Sequence, residues 1–269
     1  MDALNRAITE KEIYRDLKRY FDHPGTLFYR GRELSEVNRF LINKHFDKSS
    51  ILLDLGCAEG RIGEILFNNI AVGLDIEMNQ AQVASKIKNY RSVVLADARN
   101  MPFKNDSFDI IFSNSVIEHI DGLKELLRES SRILKDKGLF IFTVPLNRIS
   151  LYLSLYKIFS GIGFSSLAKH YAYLRNRMLR HYNLFDSDTW NRILFKDNFS
   201  VIYEKTYLSK KETFLWDKIC ILLRITKLIP FIHSHFKKRY FALVSRLLED
   251  ASDTDEGANI LIVAEKRQT

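Results

Sequence analysis

The apolar run Ile51-Leu52-Leu53, entering Asp54-Leu55-Gly56-Cys57-Ala58-Glu59-Gly60, limits the fold of this chain more than any other stretch. It reads as a buried strand that breaks into a glycine-bearing turn and opens a helix. Glycine lets backbone approach a ligand with no Cβ in the way, and the first turn of the following helix favours polar or anionic groups. The next strand-like run, Ala71-Val72-Gly73-Leu74-Asp75, ends in an acid twenty-one residues after Asp54. A carboxylate so placed can accept hydrogen bonds from both hydroxyls of a ribose. A third run, Ser92 to Asp97, ends in another acid. The pattern is that of a nucleotide-type cofactor site.

Hydrophobic periodicity extends the alternation. Strands are expected at about 51–55, 71–75, 92–96, 108–112 and 139–144, and helices at about 60–68, 79–88 and 121–135. That order predicts an α/β fold with a parallel, doubly wound sheet and ligands at the carboxyl ends of the strands, where every acid named above lies. Before the core, Ile13, Leu17, Tyr20 and Phe21, then Val37, Phe40 and Leu41 beyond the His23-Pro24-Gly25 break, predict two helical pieces. After Pro145, Leu167, Tyr171, Leu174 and Met178 form one helical stripe, expected to pack over the cofactor face. Asp186-Ser187-Asp188-Thr189-Trp190 predicts a helix start, followed by a strand near 199–206 and a closing strand at Asn259 to Glu265. Four segments result. Residues 1–48 are an N-terminal helical segment, 49–145 the cofactor-binding core, 146–185 a helical substrate cap, and 186–269 the rest of the core sheet, interrupted by a helical insertion at about 207–257.

Composition excludes several classes. The chain of 269 residues is long enough for a full core with additions, and 46% hydrophobic with 28% charged residues is ordinary for a globular protein. Two cysteines, Cys57 and Cys220, make a disulfide framework implausible and favour a reducing, cytoplasmic compartment. The start, Met1-Asp2-Ala3-Leu4-Asn5-Arg6, lacks the apolar core of a secretion signal. The net charge of +8 is uneven: residues 146–250 hold eighteen Lys or Arg against eight Asp or Glu. Such a field attracts an anionic substrate, a nucleic acid or an anionic lipid surface, or merely solvates helix faces. Trp216 to Ile232 is apolar but carries Asp217, Lys218, Arg224 and Lys227, so it is not a spanning helix. On a helical projection Asp217, Arg224 and Lys227 fall opposite Ile219, Leu222 and Leu223, with Lys237-Lys238-Arg239 following. This fits a lid, a dimer contact, or an interfacial helix at the inner face of a membrane.

The order of the glycine loop, Asp75, Asp97-Ala98, Asp106-Ser107-Phe108-Asp109 and Val116-Ile117-Glu118-His119 resembles the class I S-adenosylmethionine (SAM)-dependent methyltransferases. The small-molecule, ubiquinone-biosynthesis branch is the most similar. The resemblance runs from about Ser50 to Val144 and implies a seven-stranded, mostly parallel Rossmann-like sheet with an antiparallel closing strand. Ala58 stands where the family usually has a second glycine. It further implies SAM as cofactor. Asp54 would orient the loop and meet the methionyl amino group, with Gly56, Cys57 and Gly60 giving close backbone. Asp75, followed by Ile76, would take the ribose, Asp97 with Ala98 the adenine edge, and Ser113 or Asn114 would lie beside the methionyl portion. Cys57 reads as a packing residue rather than a nucleophile, since no base is apparent beside it.

His119 is the candidate general base, because its unperturbed pKa of roughly 6.5 lies near working pH; alternatively it caps the strand-to-helix junction. Glu118 and the pair His181-Tyr182 are substrate-side candidates, the pair equally readable as plain packing. Ubiquinone-type O-methyltransferases carry a further metal-binding acid where Ser115 stands here, so no metal is expected. The expected activity is methyl transfer, at oxygen first, to a small-molecule or lipid- or glycan-linked acceptor. Three rivals differ in class. An NAD(P)-dependent oxidoreductase wants G-x-G-x-x-G, whereas this loop runs Gly56-x-x-x-Gly60-x-x-Gly63. An RNA methyltransferase is disfavoured, as no RNA-binding module is appended and Ser113-Asn114-Ser115-Val116 is no base-gripping run. A non-catalytic SAM-binding scaffold stays open because fold does not fix function.

Overall fold

The computed structural model describes residues 4–44, 46–47, 49–249 and 256–268. Residues 1–3, on which part of the signal-sequence reading falls, residues 45 and 48 of the N-terminal segment, and residues 250–255 of the insertion lie outside the described residues.

Two helices precede the sheet. Helix α1 (Glu10–Tyr20) starts in a capping box in which the Thr9 side chain accepts from Glu12 N–H and the Glu12 carboxylate accepts from Thr9 N–H. Helix α2 (Pro24–Ile42) begins at the expected break, with proline in its first turn and the His23 ring accepting from Thr26 N–H. Core elements follow in alternation: β1 (Leu52–Leu55), α3 (Arg61–Leu66), β2 (Ile70–Asp75), α4 (Met78–Ala84), β3 (Tyr90–Leu95), β4 (Phe108–Asn114), α5 (Leu123–Ile133) and β5 (Leu134–Pro145). Then come α6 (Ile149–Tyr152), α7 (Ser154–Gly161), α8 (Ser165–Met178), α9 (Ser187–Lys196), β6 (Phe199–Tyr207), α10 (Lys210–Thr226), α11 (Pro230–Glu249) and β7 (Asn259–Lys266).

The seven strands lie in the order β3-β2-β1-β4-β5-β7-β6. All neighbours from β3 to β5 pair parallel, and β7 runs antiparallel between β5 and β6. The order in which successive strands are added reverses between β1 and β4, which opens a crevice at their carboxyl ends. Period-two alternation sends Leu52, Ile110, Phe112 and Ile141 to one core and Leu53, Ile111, Phe140 and Phe142 to the other. Both faces are therefore covered, which a parallel sheet requires.

Several expectations change. Helix α5 stops at Ile133 and β5 begins at Leu134, five residues before the expected strand start, because buried Leu134 pairs with Phe108 before a bulge resets the register at Ile110 with Leu139. The α8 stripe does not pack over the cofactor face. Ala168 and Ala172 are the buried residues of α8, while Leu167, Leu174 and Met178 are each about half exposed. Tyr171, Leu174 and Met178 instead line a cavity of about 650 Å³ shared with Ile221, Leu223 and Arg224 of α10. Residues 216–232 are not one helix, since α10 ends at Thr226 and α11 starts at Pro230. Asp217, placed by the projection on a polar face, is fully buried: its carboxylate accepts from Ser154 N–H and Oγ and from Tyr171 OH, and pairs with Arg175 at 3.0 Å. A charge taken from water persists only with such partners. No described helix is long and apolar enough to cross a membrane.

Candidate functional site

The turn after β1 owes its shape to the β2 edge. Gly56 N–H and Cys57 N–H both donate to the Leu74 carbonyl, at 2.7 and 3.0 Å, and Ala58 N–H donates to Asp75 Oδ2 at 2.7 Å. Gly60 N–H donates to the Cys57 carbonyl. These amides are spent inside the protein, so the turn offers a ligand room rather than donors. Gly56 (φ +73°) supplies the room, because a Cβ there would meet the Val116 side chain at about 2.5 Å. Ala58 takes the left-handed conformation at φ +48° despite its methyl group. Gly60 is needed for another reason than the sequence implied: a Cβ there would strike Ile87 and Tyr90 at 2.9 Å, so it serves packing of the α3 start and lines neither cofactor-side cavity.

Two cavities flank Val116 and share Gly56. One, of about 360 Å³, is lined by Asp75, Ile76, Asp97, Ala98, Arg99 and His119 among others. The other, of about 280 Å³, is lined by Arg30, Asp54, Cys57, Ala58, Asn114 and Ser115 among others. The structure thus brings Asp54, Asp75 and Asp97 to neighbouring strand ends around one crevice. Asp75 is 9% exposed and accepts from Ala58 N–H and, through Oδ1, from Glu77 N–H. Each carboxylate oxygen keeps a further lone pair, which suits a vicinal diol. Asp54 is buried and accepts from Tyr90 OH at 2.5 Å. Burial, with the Asp75 charge adding, pushes its carboxyl up to about 7 against the pull of the tyrosine hydrogen bond. A nearby cationic ligand group would favour the ionised form of such a carboxyl. Asp97 is engaged by Arg99 at 2.6 Å, and that hydrogen bond foremost holds its carboxyl below the usual range. Much of its acceptor capacity is therefore used, and Arg99 joins it on the cavity wall.

Ser113 must be corrected. It is fully buried, donates to the Leu55 carbonyl at 3.0 Å, and lines neither cofactor-side cavity. Strand alternation turns it into the sheet, and of the two expected residues Asn114 lines the 280 Å³ cavity, with Ser115 beside it. Cys57 is inert as a nucleophile, since burial first, then the charges of Asp54 and Asp75, push its thiol far above the usual range.

A third cavity, of about 220 Å³, opens beside these two and is lined by Tyr29, Arg30, Ser115, Glu118, His119, Ile149, Leu179, His181 and Trp216 among others. Residues of the expected cap contribute, but so do α2 and α10. His119 borders both this cavity and the 360 Å³ cavity. Its Nδ1 lies 3.2 Å from the Arg180 carbonyl, an oxygen that can only accept, so Nδ1 carries the proton and Nε2 keeps its lone pair. Burial lowers the His119 pKa, with the Arg180 hydrogen bond opposing. Glu118 is 2% exposed, and burial, helped by the Glu33 charge, raises its carboxyl to about 8. His181 is held down to about 4 by burial first and by neighbouring His119 and Arg175. Glu118 Oε2 and His181 Nδ1 are buried without a hydrogen-bond partner, which marks a place where a ligand or water completes the structure. Glu118, His119 and His181 offer ligand atoms within 4.8 Å of one another, so they could hold a cation without the acid that Ser115 replaces. Tyr182 N–H donates to the Glu118 carbonyl while its ring, 59% exposed, lines the 360 Å³ cavity.

Sequence reasoning missed Arg30 and Glu33. Glu33, fully buried, accepts from Arg30, Ser115 Oγ, Asn114 Nδ2 (2.9 Å), Thr143 Oγ1 (2.9 Å) and Tyr207 OH (3.1 Å). It fastens α2 across the carboxyl ends of β4, β5 and β6. Burial alone would raise its pKa, but the Arg30 charge and these donors hold it below the ordinary value. The sequence signal was weak, an i, i+3 Arg-Glu pair in a helix that also carries Arg32, Glu36 and Arg39.

Comparison with known proteins agrees with this fold. Residues 53–142 match the family model of a methyltransferase domain. An uncharacterized protein of Methanocaldococcus jannaschii, MJ1252, is 42% identical over 134 residues, half of this chain and 51% of its own length. The chain spans about half the length of the first curated relatives it matches. A demethylmenaquinone methyltransferase of Thermotoga maritima is 27% identical over 62% of this chain and 78% of its own. Among solved structures, a SAM-dependent methyltransferase of Thermotoga maritima superposes with a TM-score of 0.56 over 96% of this chain and all of its own, at 18% identity.

Proposed function

We propose, from the match of residues 53–142 to the family model of a methyltransferase domain, that this protein moves a methyl group from SAM to an oxygen of a small-molecule or lipid- or glycan-linked acceptor. The observation that carries the reading is His119, which borders both the 360 Å³ cofactor-side cavity and the 220 Å³ cavity beside it. The residues fit the cofactor: Asp75 for the ribose, the Asp97, Ala98 and Arg99 wall for the adenine, and Asp54, Arg30 and Asn114 for the charged amino-acid end. Bound there, SAM supplies a methyl group made electrophilic by its sulfonium charge.

The chain's own work is positioning and proton removal. The acceptor hydroxyl sits in the 220 Å³ cavity, against Tyr29, Ile149, Leu179 and Trp216. His119 Nε2, unprotonated because Nδ1 is engaged at the Arg180 carbonyl, takes the hydroxyl proton. Glu118, kept neutral by burial, and neutral His181 donate or accept hydrogen bonds from the same hydroxyl without adding a charge that would bind the proton in its place. The apolar remainder of the cavity excludes water. Similarity to a relative whose name gives demethylmenaquinone as acceptor supports an apolar acceptor.

Calorimetry with SAM, S-adenosylhomocysteine and NADH separates the cofactor classes. Transfer of labelled methyl into total lipid, polar-metabolite and RNA fractions then identifies the acceptor class. Binding of NADH alone, or label confined to RNA, would overturn the reading, and absence of label from every fraction would leave a SAM-binding scaffold.

A further inference from the structure

We propose that the hairpin of α10 and α11 docks this protein on an anionic lipid bilayer, its tip entering the acyl boundary and its basic side chains meeting headgroup phosphates. The turn between the helices and the first turn of α11 carry the most exposed large apolar side chains among the described residues, Leu228 at 86% and Phe231 at 85%, with Ile225 and Ile229 beside them. Contiguous apolar surface of this kind marks an interaction site. From Lys218 to Leu248 the sequence has seven Lys or Arg and no Asp or Glu. Lys237 is paired with Asp22 at 2.5 Å, while Arg224, Lys227, Lys238 and Arg239 are exposed.

The geometry suits a bilayer. Lys238 and Arg239 follow Phe231 and Ile232 by seven residues, hence two helical turns, on the same face and about 10 Å further from the tip. An interfacial apolar face enters the headgroup and acyl boundary by about 5–10 Å, so the tip reaches hydrocarbon when these cations reach phosphate. A second copy of this chain fits poorly, because pairing the same face would set each copy's exposed cations against the other's. A nucleic acid offers phosphates but no hydrocarbon for Leu228, Ile229 and Phe231. Ile225, Arg224 and Lys227 also line the 650 Å³ cavity, so an apolar pocket opens beside the docking tip.

Flotation of the full chain with vesicles of phosphatidylcholine, alone or mixed equally with phosphatidylglycerol, tests the proposal. The expected result is at least tenfold stronger partitioning to the anionic vesicles, lost in 0.5 M salt as screening shortens the field. Leu228→Ser with Phe231→Ser should weaken it at least tenfold, and Lys238→Glu with Arg239→Glu should abolish the preference for the anionic lipid. Unchanged S-adenosylhomocysteine affinity and thermal midpoint in both variants show that the fold survives, and because vesicle binding is read separately, docking stands or falls apart from methyl transfer. Equal binding to both vesicles, partitioning untouched by the tip changes, an RNA oligomer held where vesicles are not, or a dimer that the tip changes dissolve would each overturn it.

Discussion

If Asp54 holds the cofactor's ammonium as proposed, cofactor binding is coupled to a proton, and the coupling can be measured from both sides. Its carboxyl is pushed from 3.8 up to about 7 by burial in the β1 end and by the Asp75 charge. Three pKa units correspond to about 4 kcal/mol, an upper bound on what ionised Asp54 costs the free protein. The folded pKa lies above the unfolded one, so the folded state holds the extra proton between about pH 4 and 7. Stability from this group is complete below pH 4 and is lost as pH rises through 7. Asp54→Asn keeps an oxygen for Tyr90 OH and cannot ionise. At pH 8.5 the free variant should therefore melt several degrees above the parent, and near pH 4 the two should coincide. Binding shows the opposite sign. If Asp54 meets the cofactor's ammonium, the parent must release a proton on binding near pH 6, and its affinity should climb between pH 5.5 and 7.5. The variant should bind about 10–100-fold more weakly at pH 7.5, the value of a charge-assisted hydrogen bond, with affinity independent of pH. Calorimetry of S-adenosylhomocysteine in two buffers of different ionisation enthalpy counts the proton. No release by the parent, or equal affinity of the variant at pH 7.5, would refute the assignment.

Other perturbations probe the remaining parts. Asp75→Ala removes the proposed ribose acceptor together with the partner of Ala58 N–H and Glu77 N–H; SAM affinity should fall by on the order of 1–3 kcal/mol, read by calorimetry. His119→Ala should lower kcat/KM by about 10²–10⁴ with cofactor affinity unchanged. In the parent the acid limb of the rate profile should lie below pH 6.5, since burial depresses the His119 pKa, and an alkaline limb near pH 8 should report loss of the Glu118 proton. Glu33→Gln leaves Arg30 without its charge partner in a buried network and should cost about 3–5 kcal/mol of stability, seen as a fall in urea midpoint. Dialysis against a chelator should leave transfer intact, because neutral Glu118 and His181 are what the proton-removal scheme uses; loss restored by a divalent cation would assign these groups to a metal instead.

Much of the architecture was legible in local rules. Alternating apolar runs of strand length, the helix start at Asp186, and the break at His23-Pro24 each rest on residues within a few positions of one another. Acids at the ends of β1, β2 and β3 were legible for the same reason, since a parallel sheet puts strand ends on one edge. Ser113 failed because which side chain at the end of β4 turns outward depends on the pleat: Asn114, the alternative at that strand end, borders the cavity, and Ser115 follows beyond the strand at φ +52°. The α8 stripe failed because four apolar residues at helical spacing announce a face without saying what it meets.

What the sequence determined by itself is the order of strands and helices, the open crevice beyond their carboxyl ends, and the acids that ring it, all consequences of short-range periodicity. Only tertiary structure decided how that crevice is equipped. Glu33 reaches Asn114 and Ser115 from eighty-one and eighty-two residues away, Tyr90 reaches Asp54 across thirty-six, and the amides of the glycine turn face Leu74 and Asp75 instead of a ligand. The pKa values of Asp54, Glu118 and His181 follow from burial, and burial is a property of elements brought together by packing, which no window along the chain contains.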